Sequence, residues 1–90
     1  MNLRKLARGK ECLIRIPGIC NGDPGTTVLC HYRLMGLSGM GIKSPDLVAA
    51  WGCSSCHAYV DTHHDPATRL AHAEGVFRTQ AELKKLGVKL

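Results

Sequence analysis

Two pairs of cysteines carry the clearest chemical signal in this chain. Cys53 and Cys56 stand two residues apart in the run CSSCH, and Cys12 and Cys20 precede them. A closely spaced pair of thiolates can share one metal ion, and a second pair brought near by folding completes a tetrahedral site. His57, directly after Cys56, is not needed as a fifth ligand, so its imidazole is left for other chemistry.

Zinc is the metal that four thiolates favour, so Cys12, Cys20, Cys53 and Cys56 are predicted to bind a structural zinc ion. Seven residues separate the first two, which suits a turn-rich excursion that doubles back at Pro17-Gly18. Cys30 could replace one of that pair. A dithiol redox motif would favour a thioredoxin-like βαβ pattern, which the sequence lacks. Ordinary buried cysteines are the remaining interpretation.

Length and charge narrow the class of protein. Ninety residues, only four of them aromatic, indicate one domain (1–90) with a thin core that a metal would help to stabilise. No secretory signal or membrane span is apparent, so we expect a cytoplasmic protein with reduced thiols and no membrane partner. The formal net charge of +5 favours a polyanionic partner, nucleic acid above all.

The pattern along the chain predicts an α+β fold with a very small sheet. A basic arm or short helix (1–9) precedes a hairpin, a loop and a cysteine knuckle (10–64), and a C-terminal helix follows (65–87). The hairpin strands are expected at 12–17 and 26–32, with a glycine-containing loop at 34–43 and a short helix at 46–51. A further helix begins within the knuckle at 53–61. Asp65 is the expected N-cap of the last helix, Pro66 lies in its first turn, and Gly87 is its C′ residue.

The order of the histidines and cysteines resembles a known family. His31 ends a predicted strand, Asp46-Leu47 follows about fifteen residues later, and the CSSCH knuckle comes next. This order resembles the HNH nucleases of the His-Me finger superfamily, and more closely the small prophage-encoded YbcO-like nucleases. The resemblance spans nearly the whole chain. Its shared motifs are the run from Arg4 to Cys12, RIPG at 15–18, CNG at 20–22, Gly36-Leu37, PDL at 45–47, CSxCH at 53–57 and Thr79-Gln80.

The resemblance implies a ββα-metal core in which His31 is the general base and His57 ligates a catalytic divalent cation. Asp46 stands where the superfamily has an asparagine that orients the base or helps to hold the metal. Asp61 lies one helical turn after His57, which suits a second ligand and favours Mg²⁺ or Mn²⁺. Cys30 stands where many members have a ligand, so two arrangements remain open. Either His31 itself binds the metal, or the site uses Asp46, His57 and Asp61.

The principal hypothesis is a metal-dependent endonuclease that hydrolyses DNA phosphodiester bonds, with Arg33 and Lys43 contacting phosphates. The alternative is a non-catalytic zinc-binding module that binds nucleic acid or a recombination protein, which has no need of His31. A redox or zinc-storage protein is a third possibility, and it predicts exposed, reactive thiols. A homodimer is compatible with each. We expect His63 and His64 to be exposed loop residues and Asp65 to be a helix cap.

Overall fold

The computed structural model describes residues 2–34 and 44–89, and within them the fold is a small α+β structure. Three α-helices accompany two short strands in that part of the chain. The elements are α1 (Leu3–Ala7), a 3₁₀ turn (Pro24–Thr26), β1 (Val28–His31), β2 (Ala49–Gly52), α2 (Ser54–Thr62) and α3 (Pro66–Lys85). None of these described helices is long and apolar enough to cross a membrane.

The two strands form an antiparallel pair whose register places His31 opposite Ala49 and Val28 opposite Gly52. All four residues of β2 are buried, because α3 covers one face of the strand. The backbone N–H of Leu13 donates to the carbonyl of Trp51 at 2.7 Å, which gives β2 a neighbour on its other edge. Helix α2 begins two residues after β2 ends, so the chain order here is strand, strand, helix.

Helix α3 approaches the sheet closely at Gly75. A Cβ atom at this position would lie 3.1 Å from the Cα of Ile14 and 3.2 Å from the Cβ of Ala50. One turn later, the buried Thr79 hydroxyl accepts a hydrogen bond from the N–H of Trp51 at 2.9 Å. The mid-helix glycine costs about 1 kcal/mol relative to alanine, and the close helix–sheet contact explains why it is tolerated here.

The ends of α3 lie where the sequence predicts them. The Asp65 carboxylate accepts hydrogen bonds from the Thr68 hydroxyl at 2.8 Å and the Thr68 N–H at 3.1 Å, and these bonds lower the pKa of Asp65. At the other end, Gly87 has a φ of 86°, a left-handed conformation that suits glycine at C′. The helix that begins within the cysteine knuckle is also confirmed, as α2, with Cys53 as its N-cap.

Two predicted elements are wrong. Residues 12–17 form no strand, because Arg15 adopts a left-handed φ of 56° and the chain turns back so that Cys20 N–H bonds to the Ile16 carbonyl. Residues 46–51 form no helix; their second half is β2, the partner of β1. The run at 47–51 is apolar without a break and is buried from Ala49 onward, and such a run does not reveal its period. The loop predicted at 34–43 lies, beyond Leu34, outside the described residues.

Candidate functional site

Four cysteines converge at the start of α2. The Sγ atoms of Cys12, Cys20, Cys53 and Cys56 all lie within 4.8 Å of one another. Zn–S bonds of about 2.3 Å in a tetrahedron imply S–S separations of roughly 3.8 Å, and the Cys20–Cys53 separation is 3.9 Å. The structure therefore contains a cluster that could bind a metal ion such as zinc. Cys30 is not part of it, and its buried thiol instead lies 3.9 Å from the carbonyl oxygen of Gly52.

Backbone N–H groups stabilise the thiolate form of one cysteine in this cluster, Cys53. Burial opposes ionisation of Cys53, but the N–H groups of Cys56 (3.4 Å) and Asn21 (3.5 Å) donate to its Sγ and lower its pKa to about 7. Burial raises the pKa of the Cys56 and Cys20 thiols. A cluster with one favoured thiolate and two suppressed ones is incomplete electrostatically, which is what a site for a divalent cation requires.

Asn21 joins the two halves of the cluster. Its side-chain amide donates to the hydroxyls of Ser54 and Ser55, both at 3.1 Å, while its carbonyl oxygen accepts from the N–H of Asp23 at 2.8 Å. These bonds hold the turn that carries Cys20 against the first turn of α2. The shared motif CNG at 20–22 therefore has a structural reason in this chain.

His31 and Asp46 form the shortest side-chain contact of the candidate site. The Nε2 atom of His31, at the end of β1, lies 2.7 Å from Oδ1 of Asp46. Asp46 sits in the turn before β2, which is secured by the Gln80 amide donating to the Leu47 carbonyl at 2.7 Å. On its outer side, Asp46 Oδ1 is 3.9 Å from Nε of Arg4 in α1. The His31 side chain is only 19% exposed, so the turn and the strand fix its ring.

His57 and Asp61 form a second pair on α2. Their Nε2 and Oδ2 atoms are 3.4 Å apart, as the one-turn spacing predicts, and both side chains are accessible, at 40% and 63% exposure. No group of three or more potential ligands other than the four cysteines occurs within residues 2–34 and 44–89. The pair can therefore supply two ligands to a cation, and the remaining positions would be open to water or substrate oxygen.

His31 and Asp61 line one cleft that is open to solvent. Asp46 and His57 lie outside the described lining of the cleft. His31 therefore borders the cleft directly, whereas His57 contacts a residue that lines it, Asp61. Arg33 lines the cleft as well. Lys43 lies outside the described residues. The full described lining is His31, Tyr32, Arg33, Val60, Asp61, His63, His64, Thr68, Arg69 and His72.

Two lining residues, Arg69 and His72, are absent from the sequence-based prediction of the site. His72 is buried, with Nε2 3.0 Å from the carbonyl oxygen of Cys30, and burial lowers its pKa. Their spacing on α3 marks one helical face, but only the packing of α3 against β1 shows that this face borders the cleft. His63 and His64 are exposed, as expected, yet they also line the cleft, and the His63 ring stacks on Tyr59 with centroids 3.8 Å apart.

The fold and site define a small α+β protein with a four-cysteine cluster that could bind a metal ion, beside a histidine-lined cleft. The sequence profile of the family described as "Putative nuclease YbcO" matches residues 1–88, and the chain belongs to this family. It is 52% identical over 91 residues to "Putative nuclease YbcO" of Escherichia coli (strain K12), covering 97% of this chain and 95% of that one. "Putative nuclease ybcO" of Enterobacteria phage 82 gives the same values.

A solved structure is similar over the whole fold. The match is to "Structure of a putative bacteriophage protein from Escherichia coli str. K-12 substr. MG1655", with a TM-score of 0.77 and 44% sequence identity. It covers 96% of this chain and 100% of that chain. The α+β architecture described above is therefore shared with that protein.

Proposed function

We propose that this protein is a metal-dependent endonuclease of the HNH type that hydrolyses phosphodiester bonds in DNA. The observation that carries the proposal is His31, whose ring is held by Asp46 and which opens onto the same cleft as Asp61. The names of the two relatives, which call them nucleases, and the net charge of +5 support it. Their phage and bacterial sources favour a prophage-encoded enzyme.

In this proposal His31 is the general base. A carboxylate 2.7 Å from Nε2 favours the tautomer with the proton on that nitrogen, which leaves Nδ1 able to accept one. Nδ1 makes no hydrogen bond to any residue within 2–34 and 44–89. It would therefore take a proton from a water molecule in the cleft as that water attacks phosphorus. Asp46 would orient the ring by accepting the hydrogen bond from Nε2.

His57 and Asp61 would hold the catalytic cation. Their nitrogen and carboxylate donors fit Mg²⁺ or Mn²⁺, whereas the four sulfurs fit zinc, so the two sites select different metals. A bound divalent ion would neutralise charge on the phosphate and on the leaving oxygen. Without a cation, the Asp61 carboxylate would repel a phosphate in the cleft, so the bound ion should strengthen binding of the substrate.

Basic side chains would hold the DNA strand. Arg33 lines the cleft with an exposed guanidinium, and Lys43 remains a candidate from the sequence alone. Binding through phosphates releases counterions, so affinity for DNA should fall steeply as salt rises.

The test is incubation of supercoiled plasmid with purified, zinc-loaded protein and Mg²⁺ or Mn²⁺. The wild-type protein should nick the plasmid, and His31→Ala should reduce the rate by about 100-fold or more, the usual contribution of a general base. His64→Ala is a matched control, because His64 lines the same cleft without a carboxylate partner in the described residues. If His31→Ala nicks the plasmid at the same rate as His64→Ala, His31 has no part in the mechanism.

One observation favours the alternative of a non-catalytic zinc-binding module that binds nucleic acid or a recombination protein. Among the described residues, only the four cysteines form a ready-made set of three or more metal ligands. On this alternative the protein would bind DNA with the same affinity whether His31 is present or replaced, and no metal would induce cutting.

A further inference from the structure

Arg69 is held rigidly on the wall of the cleft. It projects from the first turns of α3, and its Nη2 donates to the backbone carbonyl of Arg33 at 3.1 Å. Its guanidinium carbon lies 4.9 Å from the centroid of the Tyr32 ring, within cation–π distance. Both contacts are made to residues that directly follow His31. The Arg69 guanidinium is therefore fixed beside the candidate base and has little conformational entropy left to lose on binding a ligand.

This guanidinium has no carboxylate partner in the described part of the chain. Arg4 and Arg15 pair there with Asp46 and Glu11, whereas neither Arg69 nor Arg33 forms an ion pair. Asp61, the one carboxylate lining the cleft, lies instead against His57. The hydrogen bonds seen for the Arg69 side chain use one of its five N–H donors. A fixed cation with free donors that faces an open cleft is arranged to receive an anion.

We propose that Arg69 binds a phosphate oxygen of the DNA strand that enters the cleft, and that Arg69 and Arg33 together form a phosphate subsite beside His31. The planar guanidinium fork matches two phosphate oxygens, and the backbone bond to Arg33 leaves its other edge available. This inference rests on the proposed function in one respect: it takes the bound DNA strand to be the substrate that the enzyme cuts.

The chain offers a matched control in Arg78. This residue lies nine positions further along α3, is similarly half-buried, and donates from Nη1 to the Leu13 carbonyl at 2.9 Å. It too has no carboxylate partner within the described residues. Arg78 is not among the described lining of the cleft. Loss of either arginine removes one charge and one side-chain bond to a backbone carbonyl, and only the loss of Arg69 should remove a phosphate contact.

The experiment measures binding of a fluorescein-labelled 20-base-pair duplex to the full zinc-loaded chain by anisotropy, with no Mg²⁺ or Mn²⁺ added, over a series of salt concentrations. Arg69→Gln should weaken binding about 10- to 150-fold, the range for loss of one charge-assisted hydrogen bond. The slope of log K against log salt should become shallower by about 0.9. Arg69→Lys, which keeps the charge, should retain the wild-type slope and recover part of the affinity. Arg78→Gln should bind as the wild type does.

Equal effects of the two glutamine variants, or a wild-type slope in Arg69→Gln, would overturn the proposal. If Arg69→Gln fails to fold, Arg33→Gln decides, because that exposed side chain makes no contact whose loss would unfold the chain, and a wild-type slope there overturns the subsite. Plasmid cleavage is measured in parallel. A wild-type protein that binds DNA through Arg69 yet never cuts would refute the nuclease and leave the subsite standing. If the wild-type protein cuts DNA and Arg69→Gln binds DNA as the wild type does, the nuclease proposal stands and the phosphate subsite is refuted.

Discussion

The four-cysteine cluster and the histidine cleft differ in how complete they are before any ligand binds. In the cluster, four sulfurs lie within 4.8 Å of one another, and three of the four cysteines are buried. At the cleft, His31 is 2.7 Å from Asp46 and Asp61 is 3.4 Å from His57, and only His31 and Asp61 line the cleft itself. The side chains of these two pairs are from 19% to 63% exposed. The first is a closed structural arrangement, and the second is an open one whose missing parts would be supplied by a cation and a substrate.

Helix α2 connects the two regions. Cys53 and Cys56 lie at its N-terminal end, and His57 and Asp61 follow on the same helix. A metal bound by the cysteines would therefore fix the orientation of α2 and of the His57 and Asp61 side chains on it. A ligand in the cleft would not constrain the positions of the cysteines to the same degree. Changes to the cluster should affect both stability and activity, and changes to the His31–Asp46 and His57–Asp61 pairs should affect activity alone.

Loss of a cluster ligand should have the largest effect. Cys53→Ser should abolish zinc binding and unfold the chain, because structural zinc contributes of order 10 kcal/mol to small domains. Cys30→Ala is the matched control, as it removes a buried thiol that lies outside the cluster. We expect that variant to keep one zinc per chain and to lose only about 1–2 kcal/mol. Metal analysis and thermal melting by circular dichroism make the measurement. Equal melting temperatures for the two variants would remove the structural role assigned to the metal.

Loss of a cleft ligand should separate activity from stability. Asp61→Asn should lower the cleavage rate about 100-fold or more, since even outer-shell partners of a metal are worth 10–100-fold. The Mg²⁺ or Mn²⁺ concentration for half-maximal rate should rise, and the melting temperature should stay the same. Glu74→Gln, an exposed carboxylate on α3 without an ion-pair partner in the described residues, is the control. A large drop in the melting temperature of Asp61→Asn would contradict the division between the two regions.

The sequence predicts the cluster better than the strands, and the reason is physical. The spacing of Cys53 and Cys56 is a local constraint, and so are the caps of α3, so each can be recognised from a few neighbouring residues. The strand that pairs with β1 is a nonlocal choice between two apolar runs. Residues 12–17 have β-branched side chains, but they are used in the core around the cysteines, while the alanine-rich run at 49–52 becomes β2.

The cleft could be predicted only in part. The resemblance identifies His31, Asp46 and His57 as candidates, and the helical spacing after His57 adds Asp61. The structure brings these four residues together as two pairs. Arg69 and His72 carry no motif that marks them, because their relevance comes from the packing of α3 beside β1. Gly75 illustrates the same limit, since it weakens the helix prediction, yet its missing side chain is what permits α3 to pack closely against Ala50.

Changes to Asp46 should have a smaller effect that depends on the side chain introduced. Asp46→Ala removes the partner of His31 Nε2 and should reduce cleavage about 10–100-fold, the usual cost of an orienting group. Asp46→Asn keeps an oxygen that can accept the same hydrogen bond, so we expect a loss of less than about tenfold. Arg4→Gln, which acts only through a 3.9 Å ion pair, should change the rate less than either. An Asn variant as impaired as the Ala variant would show that the negative charge, not the orientation, is what His31 requires.

The smallest expected effect concerns His72 and the pH dependence of stability. Burial lowers its pKa below the ordinary value of 6.5; the charges of His57 and Arg69 act in the same direction, and Asp61 and the Cys30 carbonyl oppose them. Above pH 6.5 the ring is neutral in both states. Below it, the unfolded chain takes up the proton first, so the free energy of unfolding should fall as the pH drops.

His72→Gln keeps a donor for the Cys30 carbonyl but cannot titrate, so its stability should fall less than the wild type's between pH 6.5 and 5. Urea titrations at each pH compare the two zinc-loaded proteins, and parallel curves would mean that acid acts on groups other than His72.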